Sequence, residues 1–352
     1  MKLILTTAFI TLLVHTQFAQ TLIGPESVEM DPADGSYFIS NTATADILKL
    51  SPGGALTVFT STAMATYGLE LVGDTLYACM SGTLVGFHRV TGAQVVNANL
   101  GGSFLNGITH DNTNLYLTDF NTDKIIRYNY HTGQFNDFVI GLVQSPNGII
   151  YDDIDNRLVF VSWGSNAPIK AINLADSSVV PLITTTIGNL DGIAMNCQGE
   201  FMVSSWSPSS RVSKFNHTFS AQGVNMGFTG LSSPADIYFD KLSDTLCIPN
   251  TGNDIVKKEH VTSCVSSVQQ LEEKTEITLW PNPSEGKFAI ANLPAGAYIR
   301  LFDVSGKEPR IPVRIIRDGN DARLDITAFP SGMYFLHVVS EGRKQVLRIV
   351  RN

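Results

Sequence analysis

The sequence lacks the short motifs that mark several common catalytic sites. It has no Gly-x-Ser-x-Gly, no His-Glu-x-x-His, no Cys-x-x-Cys and no glycine-rich phosphate loop of the expected form. The seven histidines show no spacing typical of metal ligands. A serine nucleophile elbow, a metalloprotease helix and a nucleotide-binding loop are therefore excluded.

Charge and long hydrophobic runs are also scarce. Only 16% of the residues are charged and the net charge is −8, which argues against nucleic acid as a partner. Residues 1–20 begin with Met1-Lys2, continue with an apolar run over residues 3–14 and reach a small residue at Ala19, so they predict a signal peptide. No other run reaches about 18 apolar residues, so no transmembrane helix is predicted. The mature protein is expected to leave the cytoplasm.

The chain has only four cysteines, and export makes them potential disulfide formers. Cys79 and Cys197 fall in or beside predicted strands of different repeats and are interpreted as small buried apolar residues. Cys247 and Cys264 lie close together in sequence. The sequence leaves open whether a bridge between them closes the end of the first domain.

What the chain has in abundance is a repeat. A short motif typified by Leu190-Asp191-Gly192-Ile193 recurs six times, each time followed by an apolar strand, a turn and a second strand. The second residues of the motif, here called the markers, follow one another at steps of 39 to 44 residues and are Glu26, Tyr67, Asn106, Asn147, Asp191 and Ala235. A period of about 40 to 45 residues built from short strands is typical of β-propeller blades. Residues 21–264 are therefore predicted to form a six-bladed β-propeller.

The sixth repeat lacks a clear fourth strand. Residues 21–23 could pair there and close the ring, and residues 265–268 are the competing segment. Closure matters because an open ring would leave unpaired strand edges.

The character of the chain changes after Cys264. Residues 265–275 are polar and are predicted to be a linker, whereas residues 276–352 hold several alternating strands and predict a small Ig-like β-sandwich. This tail resembles the C-terminal sorting domain of the type IX secretion system in Trp280-Pro281-Asn282-Pro283, in Leu301-Phe302-Asp303-Val304-Ser305-Gly306-Lys307 and in Phe329-Pro330-Ser331-Gly332-Met333-Tyr334. The resemblance implies a Bacteroidetes-type bacterium, recognition by that secretion machinery, and removal of the tail on release or surface attachment.

Rotation about the propeller axis should bring the six markers into one ring near the central channel. Glu26, Asn106, Asn147 and Asp191 offer hard oxygen donors, which suit Ca²⁺ or Mg²⁺ better than zinc. The competing interpretation is that Asn, Asp and Gly merely satisfy a tight turn before a strand. The second strands return to the same face, so their ends are expected to border the same mouth, with Asp119, Trp163 and Trp206 among them.

The motifs around Asn106, Asn147 and Asp191 also resemble the senescence-marker-protein/gluconolactonase propellers. The resemblance implies that Glu26, Asn147 and Asp191 bind a divalent cation, most simply Ca²⁺, and that Asp191 acts as base on water attacking a lactone. It places Asn106 on the substrate side, although Glu26 follows Pro25, whereas the family has its glutamate ahead of that proline.

Four further side chains are predicted from their positions at the mouth to contact the substrate. Tyr67, Trp163 and Trp206 could form a stacking wall for a sugar-like ring, with Asp119 beside them, or the aromatic rings could simply pack between blades.

A second resemblance points to a different class of function. Residues 47–50 and 125–128 follow Asn/Asp-rich turns, as in NHL-type repeat propellers, which commonly serve as rigid binding surfaces without chemistry. The sequence does not decide between a lactonase-like hydrolase and such a scaffold, and it leaves the substrate or partner open.

Overall fold

A computed structural model describes residues 20–261, 277–293, 297–304, 307, 313–318, 321–340 and 343–352. Residues 1–19 of the predicted signal peptide, the predicted linker, Cys264 and residues 265–268 lie outside this part of the chain. The chain divides into two compact units after residue 262. Every regular element in the described residues is a β-strand.

The first unit consists of six antiparallel sheets arranged in chain order. The first two sheets comprise β1 (Pro25–Asp31), β2 (Ser36–Asn41), β3 (Asp46–Leu50) and β4 (Leu56–Ser61), then β5 (Leu69–Val72), β6 (Thr75–Met80), β7 (Thr83–His88) and β8 (Gln94–Asn99). The next two comprise β9 (Leu105–His110), β10 (Asn114–Asp119), β11 (Lys124–Asn129) and β12 (Phe135–Val139), then β13 (Pro146–Asp152), β14 (Arg157–Ser162), β15 (Pro168–Asn173) and β16 (Val179–Thr184). The last two comprise β17 (Gly188–Met195), β18 (Phe201–Ser207), β19 (Arg211–Phe215) and β20 (Val224–Asn225), then β21 (Tyr238–Asp240), β22 (Thr245–Asn250) and β23 (Ile255–His260).

The first strands of the sheets form the inner ring of the propeller. Each contacts the first strands of its two neighbours, and β21 of the sixth sheet contacts β1 of the first. The Asp236 N–H donates to the Glu26 carbonyl across this junction at 2.9 Å. The ring is therefore closed, and the predicted six-bladed propeller is confirmed.

Apolar side chains from adjacent blades share common clusters. Phe38 and Ile47 of the first blade are fully buried against Leu69 and Leu76 of the second. Burying such side chains stabilises each by roughly 1.5–3 kcal/mol. Because the clusters cross between blades, each blade supports the position of the next.

The sixth blade has three strands in the described part of the chain. Residues 21–23 do not pair with it as a fourth strand. Instead the Ile23 and Gly24 carbonyls accept the Ala43 and Thr42 N–H groups, so the N-terminus runs along the first blade. The expected closure by this segment is therefore not observed.

One of the three described cysteines, Cys197, differs from expectation. Cys79 is a free buried thiol, as predicted. Cys247 is also free and buried, so it is not bridged to Cys264. Cys197, interpreted from the sequence as a buried apolar residue, is disulfide-bonded instead.

The second unit is a small two-sheet sandwich. One sheet has the order β24-β25-β28-β27 and the other β26-β29-β30. The strands are β24 (Thr278–Trp280), β25 (Lys287–Ala291), β26 (Tyr298–Asp303), β27 (Arg314–Asp318), β28 (Asp321–Asp325), β29 (Gly332–Ser340) and β30 (Arg343–Arg351). Phe288 and Leu324 of the first sheet share one core with Leu301 and Leu336 of the second, which agrees with the predicted β-sandwich.

Candidate functional site

All six markers line one cavity at the inner ring of the propeller. The cavity has a volume of about 270 Å³. Its lining residues are Glu26, Thr42, Tyr67, Phe104, Asn106, Phe120, Asn147, Trp163, Asp191, Trp206, Ala235 and Thr251. The structure thus brings together every predicted site residue except Asp119.

A β-bulge presents each of the four polar markers. In β13 the pairing register shifts by one residue between Pro146 and Ile149, on either side of Asn147. The same shift surrounds the markers of β1, β9 and β17. A bulge leaves one residue outside the ladder, bends the strand and re-aims a side chain. The polar markers lie within strands rather than in turns, so a turn preference does not account for them.

The glycine after the marker is required by the close approach of the next blade. A Cβ atom on Gly107 would lie 2.5 Å from the carbonyl oxygen of Asn147, and one on Gly148 would lie 2.5 Å from that of Asp191. Both obstacles are backbone atoms, which cannot rotate away as a side chain can. The glycines of the Asn-Gly and Asp-Gly pairs are therefore explained by the tight packing of the inner strands.

Asn147 and Asp191 are in direct contact. The Asn147 amide donates from Nδ2 to Asp191 Oδ1 and to the Leu190 carbonyl, both at 3.3 Å. Both side chains are buried. Burial, together with the nearby charge of Asp236, raises the pKa of Asp191 to about 8.

Glu26 completes a buried acidic pair. Burial raises the pKa of Glu26 well above its usual range, and the charges of Asp191 and Asp236 raise it further. The Glu26 Oε2 atom is buried and has no hydrogen-bond partner in the described part of the protein. Burying a carboxylate oxygen without a hydrogen-bond partner costs free energy. Binding of a cation or a proton by Glu26 would remove that cost.

Further ionisable groups lie close to the ring. Asp236 occupies the position that glycine holds in four other repeats, and its carboxylate accepts a hydrogen bond from Ser27 Oγ at 2.8 Å. Burial raises the pKa of Asp236 to about 7, although the Ser27 hydrogen bond opposes the shift. On the neighbouring blades, His110 pairs through Nδ1 with Glu70. Burial alone would lower the pKa of His110, but the hydrogen bond and charge of Glu70 outweigh it and raise the pKa.

Five aromatic side chains form an arc along the cavity wall. Neighbouring ring centroids lie 4.6, 5.6, 6.1 and 5.0 Å apart with steep interplanar angles, in the order Tyr67, Phe104, Phe120, Trp163 and Trp206. The sequence predicts three of these residues as part of the site, but it does not predict Phe104 and Phe120. Phe120 follows the last residue of β10 as Trp163 follows that of β14, so the repeat itself carried the signal.

Asp119 lies elsewhere. It is fully buried and does not line the cavity. Its two carboxylate oxygens accept the backbone N–H groups of Ser103 and Phe104 at 2.8 and 2.9 Å. A one-residue offset along a strand turns a side chain to the opposite face, which is why Phe120 faces the cavity and Asp119 does not. Asp119 instead holds the loop that carries Phe104.

A second acidic group lies outside the cavity. Asp152, Asp155 and His217 are close enough to share one metal ion. However, Arg157 donates from Nε to Asp152 at 2.8 Å and contacts Asp155 through Nη2 at 3.3 Å. Because a guanidinium already neutralises these carboxylates, the group is best described as an ion-pair network.

Comparison with known protein families finds a match for the second unit. Residues 278–352 match the family described as the secretion system C-terminal sorting domain. A comparison with curated protein sequences finds no significant match. Among the described residues, no helix is long and apolar enough to cross a membrane.

Solved structures share the propeller fold at low identity. A protein of unknown function from Bacteroides thetaiotaomicron is 12% identical with a TM-score of 0.58, over 68% of this chain and 70% of that one. A catalytically inactive virginiamycin B lyase from Staphylococcus aureus, solved with quinupristin, is 17% identical with a TM-score of 0.54, over 70% and 82%. Regucalcin from Agrobacterium tumefaciens, a calcium-binding protein, is 16% identical with a TM-score of 0.54, over 66% and 83%.

The chain is therefore exported by type IX secretion to the cell surface or beyond, and it joins a C-terminal sorting domain to a propeller with the fold of regucalcin and virginiamycin B lyase.

Proposed function

We propose that the exported propeller binds Ca²⁺ through Glu26, Asn147 and Asp191 and hydrolyses a lactone or a related ester. The observation that carries this proposal is the buried pair of Glu26 and Asp191, in which Glu26 Oε2 has no partner among the described residues. Two buried carboxyl groups that face one cavity repel each other when both are ionised. A divalent cation between them would remove that cost.

The donor set fits this cation. Carboxylate and amide oxygens are the ligands that Ca²⁺ prefers, and the cavity lining offers no thiolate or imidazole that would favour zinc. The similarity to regucalcin, which is described as calcium-binding, supports the same choice. Ionised Asp191 is favoured by an adjacent positive charge, since such a charge lowers the pKa of a carboxyl group.

The residues of the ring have separate roles in the proposed reaction. Bound Ca²⁺ would polarise the ester carbonyl and lower the pKa of water at the site. Asp191 accepts, through a carboxylate oxygen, the proton that the attacking water loses. Asn106 orients the ester from the substrate side, and the aromatic arc holds the rest of the substrate. The water oxygen bonds to the acyl carbon, the bond from that carbon to the ring oxygen breaks, and the ring oxygen takes a proton to give a hydroxy acid.

Asp119 contributes to the proposed site indirectly, through the backbone of a lining residue. Because its carboxylate fixes the backbone of Phe104, it positions part of the aromatic wall without touching the substrate. The predicted signal peptide, residues 1–20, would be removed before the protein acts.

Calcium titration calorimetry on the chelator-stripped protein tests the proposal. We expect a dissociation constant below about 1 mM, the weak limit of extracellular calcium sites. Asp191→Asn should weaken binding at least tenfold, whereas the same change at the exposed Asp153 should leave it unchanged. If the protein shows neither heat nor a calcium-dependent shift in melting temperature, the metal site and the hydrolase are rejected. The propeller would then be a binding scaffold.

A further inference from the structure

The lining of the cavity indicates which kind of ligand it binds, in addition to the proposed metal ion. One wall of the cavity is aromatic over four blades, from Tyr67 of the second to Trp206 of the fifth. All five rings of the arc are partly exposed. An aromatic surface of this kind binds flat apolar rings by stacking and edge contacts.

The cavity carries no positive side chain. Its lining includes Glu26 and Asp191 but no lysine, arginine or histidine. A phosphorylated or carboxylated ligand would find no positively charged side chain in this lining to pair with. The lining therefore favours an uncharged ligand.

Three polar groups of the lining are already hydrogen-bonded within the protein, which leaves them less available to a sugar. The Thr42 hydroxyl donates to the Gly24 carbonyl at 2.8 Å, and the Trp206 indole N–H donates to the Pro234 carbonyl at 2.9 Å. Thr251 likewise donates to a backbone carbonyl, at 3.1 Å. A polyhydroxylated ring buried against this wall would leave several of its hydroxyl groups unpaired, which is costly.

Asn106, Asn147 and the two carboxyl groups all belong to the inner-strand bulges. Asn147 and Asp191 are in direct contact, so these two side chains can serve one ester group. The volume of about 270 Å³ lies just below the roughly 300–1,000 Å³ of pockets for drug-sized ligands. A ligand of one or two fused rings fits this space.

We propose that the site takes an uncharged lactone whose ester reaches Asn147 and Asp191 and whose remaining skeleton is an apolar or aromatic ring. This inference rests on the proposed function and narrows its substrate class from lactones in general to hydrophobic lactones. Water adds across the bond from acyl carbon to ring oxygen, and the product is a hydroxycarboxylate plus one proton.

Binding can be measured apart from catalysis. The probe is 3,4-dihydro-2-quinolinone, a lactam with the shape of an aromatic lactone, and the signal is tryptophan fluorescence. Two of the three tryptophans, Trp163 and Trp206, line the cavity, and the third, Trp280, lies in the other unit. We expect saturable binding that Trp163→Ala weakens roughly two- to tenfold. Trp280→Phe is the matched control and should not change it.

Hydrolysis provides the second arm. Initial rates with Ca²⁺ are compared for dihydrocoumarin, an aromatic lactone, and δ-gluconolactone, a sugar lactone, each corrected for the uncatalysed rate. A kcat/KM at least tenfold higher for dihydrocoumarin supports the inference. A preference for gluconolactone, or failure of the lactam to bind, overturns it. Lactam binding without hydrolysis of either lactone rejects the proposed function but retains the ligand class.

Discussion

Substituting Gly148 by alanine should strain the junction between the fourth and fifth blades. The added Cβ would lie 2.5 Å from the Asp191 carbonyl oxygen and 2.8 Å from Gly192 Cα, whereas ordinary contacts begin near 3.4 Å. The neighbouring backbone must therefore retreat by several tenths of an ångström. Overpacking of this kind costs about 1–3 kcal/mol, and the reduced entropy of the unfolded chain returns about 0.4–1 kcal/mol.

At the middle of these ranges the net loss is about 1.3 kcal/mol, which corresponds to about 3–5 °C in melting temperature for a domain of this size. It is measured by tryptophan fluorescence in a Trp280→Phe background, so that the signal comes from the propeller. Gly53→Ala is the control, because its Cβ would meet only Ser51 Oγ at 3.8 Å. Since the retreating atoms belong to the Asp191 backbone, calcium affinity should fall as well. Equal melting temperatures for the two variants would refute the close approach of the inner strands.

Two other perturbations test the charges of the propeller. Without metal, the protein should lose stability as the pH rises from about 4 to about 7, because the folded pKa of Asp236 is about 7 against about 3.9 when unfolded. The contribution of this group is fully present below pH 4 and is lost as the pH rises through 7. Asp236→Asn should flatten the slope of melting temperature against pH, and an unchanged slope contradicts this assignment. Arg157→Met should lower the free energy of unfolding by about 3–5 kcal/mol in denaturant titrations, since it leaves the buried Asp152 carboxylate without its cation. Arg127→Met is the control, because it removes hydrogen bonds to an exposed asparagine and a cation–π contact with Phe138 but no buried ion pair, and equal losses would contradict the ion-pair argument.

The repeat made the ring predictable. Rotation about an axis converts equivalent positions in a sequence into neighbours in space, so Glu26 and Asp191 could be brought together although 165 residues separate them. The same argument succeeds for Tyr67 and Ala235, which carry quite different side chains. No property of the individual residues was needed for this step.

The parts that the repeat does not encode were missed. The bulges depend on hydrogen-bond register, which has no signature in residue type at these positions. The pairing state of Cys197 depends on distances that the strand pattern does not specify. The sequence also does not predict that Asp236 is a buried ionisable group near the ring, because this depends on the contact between the sixth blade and the first.

The bulges of the inner ring have a consequence for how such a protein can diversify. The backbone irregularity around each marker sets the direction of the side chain, while the hydrophobic clusters between blades maintain the fold. Ala235 shows that a marker position can face the cavity without offering a polar group. Each of the six positions can therefore change independently, and a new combination of donors can arise by single substitutions on an unchanged framework.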